Sequence, residues 1–110
     1  MISFWICAVI TFVSALVSLG YAAAGLRAAV ADEITPSRYA LSRSVALAAT
    51  AAVALFTGSV AFVAGMAVAM IIVQAADAVI GVTLKDRVKT YGPAATAAAN
   101  TAALVWMLAA

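Results

Sequence analysis

The charges of this chain are gathered into two short stretches, and that distribution constrains its fold more than any other feature. Arg27, Asp32, Glu33 and Arg38 lie within 27–38, with Arg43 close behind; Lys85, Asp86, Arg87 and Lys89 lie within 83–92. Asp77 is the only acidic residue inside an apolar run. Crossing a hydrocarbon core takes roughly 20 apolar residues. The runs before, between and after the charged stretches accommodate four crossings, at about 3–26, 39–57, 60–82 and 93–110, with connections at about 27–38 and 83–92. The fold expected is an all-α, four-helix transmembrane bundle in one domain of 110 residues. Composition agrees. Hydrophobic residues make up 68% of the chain, charged residues 9%, and mean hydropathy is +1.20, against about 45–50% and about 25% in soluble domains.

All six basic residues fall in or beside the two connections. The excess of Lys and Arg on the cytoplasmic side then puts both connections inside and both termini outside. That arrangement belongs to a multi-pass protein of the cell (inner) membrane. The N-terminal stretch lacks the basic start of a signal peptide, so residues 1–26 are expected to be a retained span.

Several chemistries are excluded or unsupported. There is no histidine, and Cys7 is the single cysteine, so one chain forms no disulfide and no zinc site of the usual His/Cys kind. No cofactor is implied. No basic run is long enough to suggest nucleic acid.

Helical spacing assigns faces. In span one, Cys7, Thr11, Ser14, Ser18, Tyr21 and Gly25 form one stripe, opposite Ile, Val, Leu and Phe. In span two, Arg43, Thr50 and Thr57 form a polar stripe expected to face the bundle. Thr35-Pro36 predicts a helix start with Thr35 as N-cap. Gly58-Ser59 is so short a break that helices two and three are predicted to be antiparallel neighbours. In span three, Ala61, Gly65 and Ala69 repeat every four residues, the spacing of close helix contact. Met70, Gln74, Asp77 and Gly81 form the stripe beside it. Gly92-Pro93 predicts the start of span four, whose many alanines suggest packing on much of its circumference.

A carboxylate in hydrocarbon costs on the order of 2.5–3.5 kcal/mol, so Asp77 marks a site or a pair. Tyr21, Arg43, Gln74, Asp77, Thr96 and Asn100 all fall within about 3–12 Å of the cytoplasmic boundary at 1.5 Å rise per residue. Asp77 and Arg43 are expected to pair or share a water, with Tyr21, Gln74 and Asn100 around them. In the plainer reading this belt is structural glue that fixes helix register. In the functional reading it lines a pocket for a lipid headgroup or small amphiphile, within a non-catalytic membrane subunit. Such a subunit has membrane lipids as partners and either self-associates or joins a larger membrane complex. The alternative is a small proton-coupled transporter or channel using Asp77. A third reading is an isomerase-type enzyme with Asp77 as acid/base and Tyr21 as its partner; the lack of a second intramembrane carboxylate or a histidine weighs against it.

Four short motifs carry a resemblance: Gly20-Tyr21 with Gly25-Leu26-Arg27, Tyr39-Ala-Leu-Ser-Arg43-Ser-Val-Ala46, Ala75-Ala-Asp77-Ala-Val79, and Gly92-Pro93-Ala-Ala95. On them the chain resembles an uncharacterised family of short four-span bacterial integral membrane proteins, distantly like DoxX-type proteins. A glycine frequent in span two of that family is replaced here by Ala48-Ala49-Thr50. The resemblance implies fold and topology and no settled activity. Length and span number are also similar to those of the small multidrug-resistance transporters, but their first-helix glutamate has no counterpart in span one.

Overall fold

In a computed structural model the chain is an all-helical bundle; residues 2–83, 85 and 87–109 are described, with backbone only at 88 and 89. Four long helices follow one another: α1 (Ile2–Ala28), α2 (Ile34–Thr57), α3 (Val60–Thr83) and α4 (Arg87–Ala109), with a single 3-10 turn at Ala31–Glu33 before α2. Three of these segments, Ile2–Ala28, Ala31–Thr57 and Val60–Thr83, are long and apolar enough to cross a membrane. In α4 the run of alanines is diluted by Gly92, Pro93, Thr96, Asn100 and Thr101.

Each turn has a local cause. Gly58 closes α2 in the left-handed conformation at φ 65°, which glycine adopts without a Cβ penalty. Ser59 then starts α3: its hydroxyl accepts the Phe62 N–H at 3.2 Å, and its carbonyl accepts the Val63 N–H at 3.1 Å. The hydroxyl thus caps a donor that a helix start leaves unpaired, and the carbonyl accepts the first bond of the helix. Before α2, the Glu33 carboxylate accepts the Val30 N–H at 3.1 Å.

Two predicted helix starts move. The segment at Thr35-Pro36 is already helical from Ile34, so Pro36 occupies the third helical position. Proline is tolerated there because first-turn N–H groups lack intrahelical partners. Helix α4 begins at Arg87, and Pro93 lies within it, buried in the bundle. Residues 87–92 therefore extend the helix out of the span expected from the sequence. Asp86, Ala110 and the side chain of Lys89 lie outside the described residues.

Helix packing is uneven. α3 packs most extensively on α4, and α1 on α2, while α1 and α3 also touch each other; α2 and α4 hardly meet. The four helices therefore sit at the corners of a rhombus with α1 and α3 on its short diagonal. The Cα envelope of 47 × 25 × 14 Å has this flattened section. The two-residue turn does make α2 and α3 antiparallel, but contact between them is sparse beside that within the α1–α2 and α3–α4 pairs.

The interior mixes apolar side chains such as Phe4, Val63, Met66, Met70 and Met107 with alanines and buried polar groups, and many large apolar side chains lie outside. Cys7, Thr11, Ser14 and Ser18 of α1 are buried, as the stripe predicts, and so are Met70, Gln74 and Gly81 of α3. In α2 the buried face is Ser44, Ala48, Ala51 and Ala54. Arg43, Thr50 and Thr57 are exposed, which corrects the expected inward stripe. The threonines face out without leaving a polar group unpaired, because each donates to its own helix: Thr50 to the Ala46 carbonyl at 2.8 Å and Thr57 to the Ala54 carbonyl at 3.1 Å. Such back-bonding satisfies the hydroxyl without a neighbouring helix.

Two expected packing faces are not used within the chain. Ala61 and Gly65 are exposed and Ala69 is half-buried, so this small-residue row is not a contact within the chain. A Cβ built on Gly65 would meet nothing within 4 Å. Likewise α4 buries a single stripe, Pro93, Asn100, Ala103 and Met107, and leaves Ala95, Ala98, Ala99 and Ala102 exposed. Without side-chain bulk, alanines do not specify which side of a helix is covered.

Candidate functional site

The helices frame a half-open cavity of about 450 Å³ on the α2–α3 side, near the ends joined by the two connections. All four helices contribute. Ser18 and Tyr21 come from α1, Pro36, Ala40, Arg43 and Ser44 from α2, Asp77, Ile80 and Gly81 from α3, and Pro93 from α4. The cavity lies where α2 and α3 make little contact, and small side chains (Ala22, Ala40, Gly81) leave the space unfilled. The lining is mostly apolar with a few convergent polar groups, as in small-molecule sites generally.

One ion pair spans the cavity wall. Arg43 Nη2 lies 3.7 Å from Asp77 Oδ1, and the two side chains are 53% and 27% exposed. That separation brings the charges together but exceeds the roughly 2.7–2.9 Å of a charged hydrogen bond. The pair joins α2 to α3 across their otherwise thin interface.

Tyr21 stands beside this pair and rests on α4. A Cβ added to Gly92 would collide with the Tyr21 hydroxyl and would lie 3.3 Å from its Cζ. With any larger residue here the tyrosine side chain would have to move aside. The phenol is thereby held at the cavity wall by a gap in α4, next to Pro93.

At the cavity floor, Ser18 and Ser44 join α1 to α2. Their hydroxyls are 3.3 Å apart, and the Ser44 hydroxyl is 3.5 Å from the Ser18 carbonyl. Both serines are buried.

The remaining members of the expected belt are elsewhere. Gln74 is fully buried and donates from Nε2 to the Ser14 carbonyl at 2.8 Å. Asn100, also fully buried, lies 3.0 Å from the Thr11 hydroxyl. Neither lines the cavity around Arg43 and Asp77. Together with Thr11 and Ser14 they make a deeper layer that ties α3 and α4 to α1. Thr96 donates to carbonyls of its own helix, at Pro93 (2.9 Å) and Gly92 (3.3 Å), and joins neither group. Of the six, Tyr21, Arg43 and Asp77 share the cavity, Gln74 and Asn100 are each buried against α1, and Thr96 stands apart.

The deeper layer has one ambiguity that chemistry resolves. Thr11 Oγ1 lies 2.7 Å from the Cys7 carbonyl and 3.0 Å from Asn100 Oδ1, yet one hydroxyl proton serves one acceptor well. Turning the Asn100 amide by 180° makes Nδ2 the donor to Thr11, and each contact then has its proton. It also gives a partner to Nδ2, which otherwise has none; Gln74 Oε1 stays unpaired among the described residues.

Sequence reasoning missed Ser44 and Gly92. Ser44 adjoins Arg43, and the spacing Ser44, Ala48, Ala51 is a signal for a close helix face. Gly92 reads as a helix-start residue because Pro93 follows it. Its role depends on a tyrosine 71 positions away in sequence, which no local pattern reveals.

As chemistry, the cavity offers one guanidinium, one carboxylate and one phenol, edged by serine hydroxyls and backed by apolar surface. Among the described residues no cluster of three His, Cys, Asp or Glu comes together that could hold a metal ion. Compared with known proteins, the chain matches no family model, no curated protein and no solved structure.

Proposed function

We propose that this chain is a multi-pass protein of the cell membrane in which all four helices cross, and that its cavity binds the headgroup of a lipid or small amphiphile. The observation that carries the reading is the cavity itself: an Arg43–Asp77 pair set into mostly apolar lining at one end of the bundle. An amphiphile presents that same combination of a charged head and an apolar body.

The distribution of surface supports membrane immersion. Ser14, Ser44, Gln74 and Asn100 are buried, while Val13, Val53, Phe56, Ile72 and Val105 are about half exposed or more. Water would favour the reverse, since large contiguous apolar surfaces are rare on soluble monomers. Arg27, Arg38, Lys85 and Arg87 all lie at helix ends near the cavity. By the positive-inside rule this end faces the cytoplasm, leaving both termini outside.

The role is non-catalytic: a small membrane subunit, self-associated or within a larger membrane assembly. The uncovered small-residue rows of α3 and α4 support this, because such rows let helices of another chain approach closely.

Native mass spectrometry of the protein extracted in mild detergent tests the reading. Wild type is expected to carry retained lipid, and Arg43→Gln to lose much of it. A monomer free of adducts that also fails to take up added phospholipid would overturn it.

A further inference from the structure

Resting on that reading, we infer that the ligand is a zwitterion, a phosphodiester bearing a primary ammonium as in the phosphoethanolamine headgroup, with Arg43 holding the phosphate and Asp77 the ammonium.

The cavity lining holds one guanidinium and one carboxyl group. At 3.7 Å the two side chains compensate each other's charge without saturating each other's hydrogen bonds. A guanidinium has five N–H donors and a carboxylate about four acceptor sites. Most of these stay available to a ligand, and neither side chain makes a hydrogen bond to another described residue.

Charge then selects among headgroups. A singly anionic head gains Arg43 and is opposed by Asp77. A cationic amphiphile gains Asp77 and is opposed by Arg43. A ligand with both signs on a short spacer satisfies both groups, and each mismatch acts as a repulsive filter. The planar guanidinium fork matches phosphate oxygens two at a time.

The cationic end is a primary ammonium for a separate reason. It donates three hydrogen bonds, which a carboxylate and nearby hydroxyls such as Ser37 accept. A quaternary ammonium is held instead by a cage of several aromatic rings. Among the described residues Tyr21 is the only aromatic side chain lining this cavity. The apolar remainder, including Ala22, Ala40 and Ile80, faces the glycerol and first methylenes of a lipid.

The test titrates the purified chain in mild detergent with dioleoyl phosphatidylethanolamine, phosphatidylcholine and phosphatidylglycerol, read by native mass spectrometry. The ethanolamine lipid is expected to bind about tenfold more tightly than either other, the scale of one charged hydrogen bond. Asp77→Asn should erase its advantage over the glycerol lipid, and Arg43→Gln should weaken all three phospholipids. Ala40→Leu fills the cavity while keeping both charges, and it should weaken the ethanolamine lipid; it carries the test if a charge variant does not fold. Soluble phosphoethanolamine distinguishes the source of the zwitterion. Displacement at concentrations similar to the lipid's would assign the free compound, and its failure would assign the lipid. Equal binding of the three lipids, or preference for the glycerol lipid, overturns the zwitterion while Ala40→Leu sensitivity preserves an amphiphile site. Insensitivity of all three lipids to Ala40→Leu overturns both.

Discussion

The Tyr21 hydroxyl lies so close over Gly92 that a Cβ there would overlap it. In a helix, Gly→Ala ordinarily stabilises by about 0.5–1 kcal/mol. Here the Tyr21 hydroxyl must move aside, so we expect Gly92→Ala to forfeit that gain and destabilise by about 1 kcal/mol, the low end of overpacking. Tyr21→Phe removes the atom in collision. In that background Gly92→Ala should lose much of its penalty. Denaturation of the four proteins of this cycle in mixed micelles gives the coupling directly. Additive effects would place the ring elsewhere.

Gln74 separates hydrogen bonding from packing. It is fully buried and makes one bond, to the Ser14 carbonyl, while its Oε1 has no partner among the described residues. An interhelical hydrogen bond in a membrane contributes about 0.6 kcal/mol on average, and removing an unpaired buried acceptor offsets part of that. Gln74→Met, which keeps the volume, is expected to change stability by less than about 1 kcal/mol. Gln74→Ala opens a cavity and should cost about 2–4 kcal/mol. If both variants lose stability equally, the hydrogen bond outweighs packing and this ranking fails.

Much of the architecture was legible in the sequence because burial and helical spacing agree in α1 and α3. Cys7, Thr11, Ser14 and Ser18 point inward, as do Met70, Gln74 and Gly81. The approach of Arg43 to Asp77 was also legible, from one cation and one anion at similar depth. Three features were not. Thr50 looks inward only if its hydroxyl needs another helix, and it does not. The Ala61, Gly65 and Ala69 row has the spacing of a contact face, but spacing does not say whether the partner belongs to the same chain. Gln74 and Asn100 share the depth range of Asp77, yet helix rotation directs them to α1 rather than to the cavity.

Lys85 sits between α3 and α4 at φ 56°, and its N–H is bonded to the Val82 carbonyl at 3.0 Å. A left-handed conformation costs a residue with a Cβ about 1–2 kcal/mol. Lys85→Gly relieves this while making the unfolded chain more flexible, a smaller opposing effect. We expect a net gain of about 0.5–1 kcal/mol, visible as a higher midpoint of thermal unfolding. Lys85→Val, stiff at its β-carbon, should shift the midpoint down. The same midpoint for both variants would mean that the turn relaxes to accept either.

The rotation of α2 is the point on which the cavity depends, because it decides whether Arg43 reaches Asp77 or turns toward α1. It rests on Ser44, wholly buried against α1, while Thr50 is exposed and bonded to its own helix. Valine at the two positions therefore gives opposite outcomes. At position 44 it inserts methyl groups where the helices touch and breaks the contacts with Ser18, for about 1–3 kcal/mol of lost stability. At position 50 it replaces a self-satisfied hydroxyl on an outer face, within about 0.5 kcal/mol of wild type. Ser44→Val should also separate α2 from α1 and so perturb the cavity, whereas Thr50→Val should leave phospholipid binding unchanged. If the sensitivities were reversed, α2 would be rotated to the face that its threonines suggest, and Arg43 would point into the bundle rather than along the cavity wall.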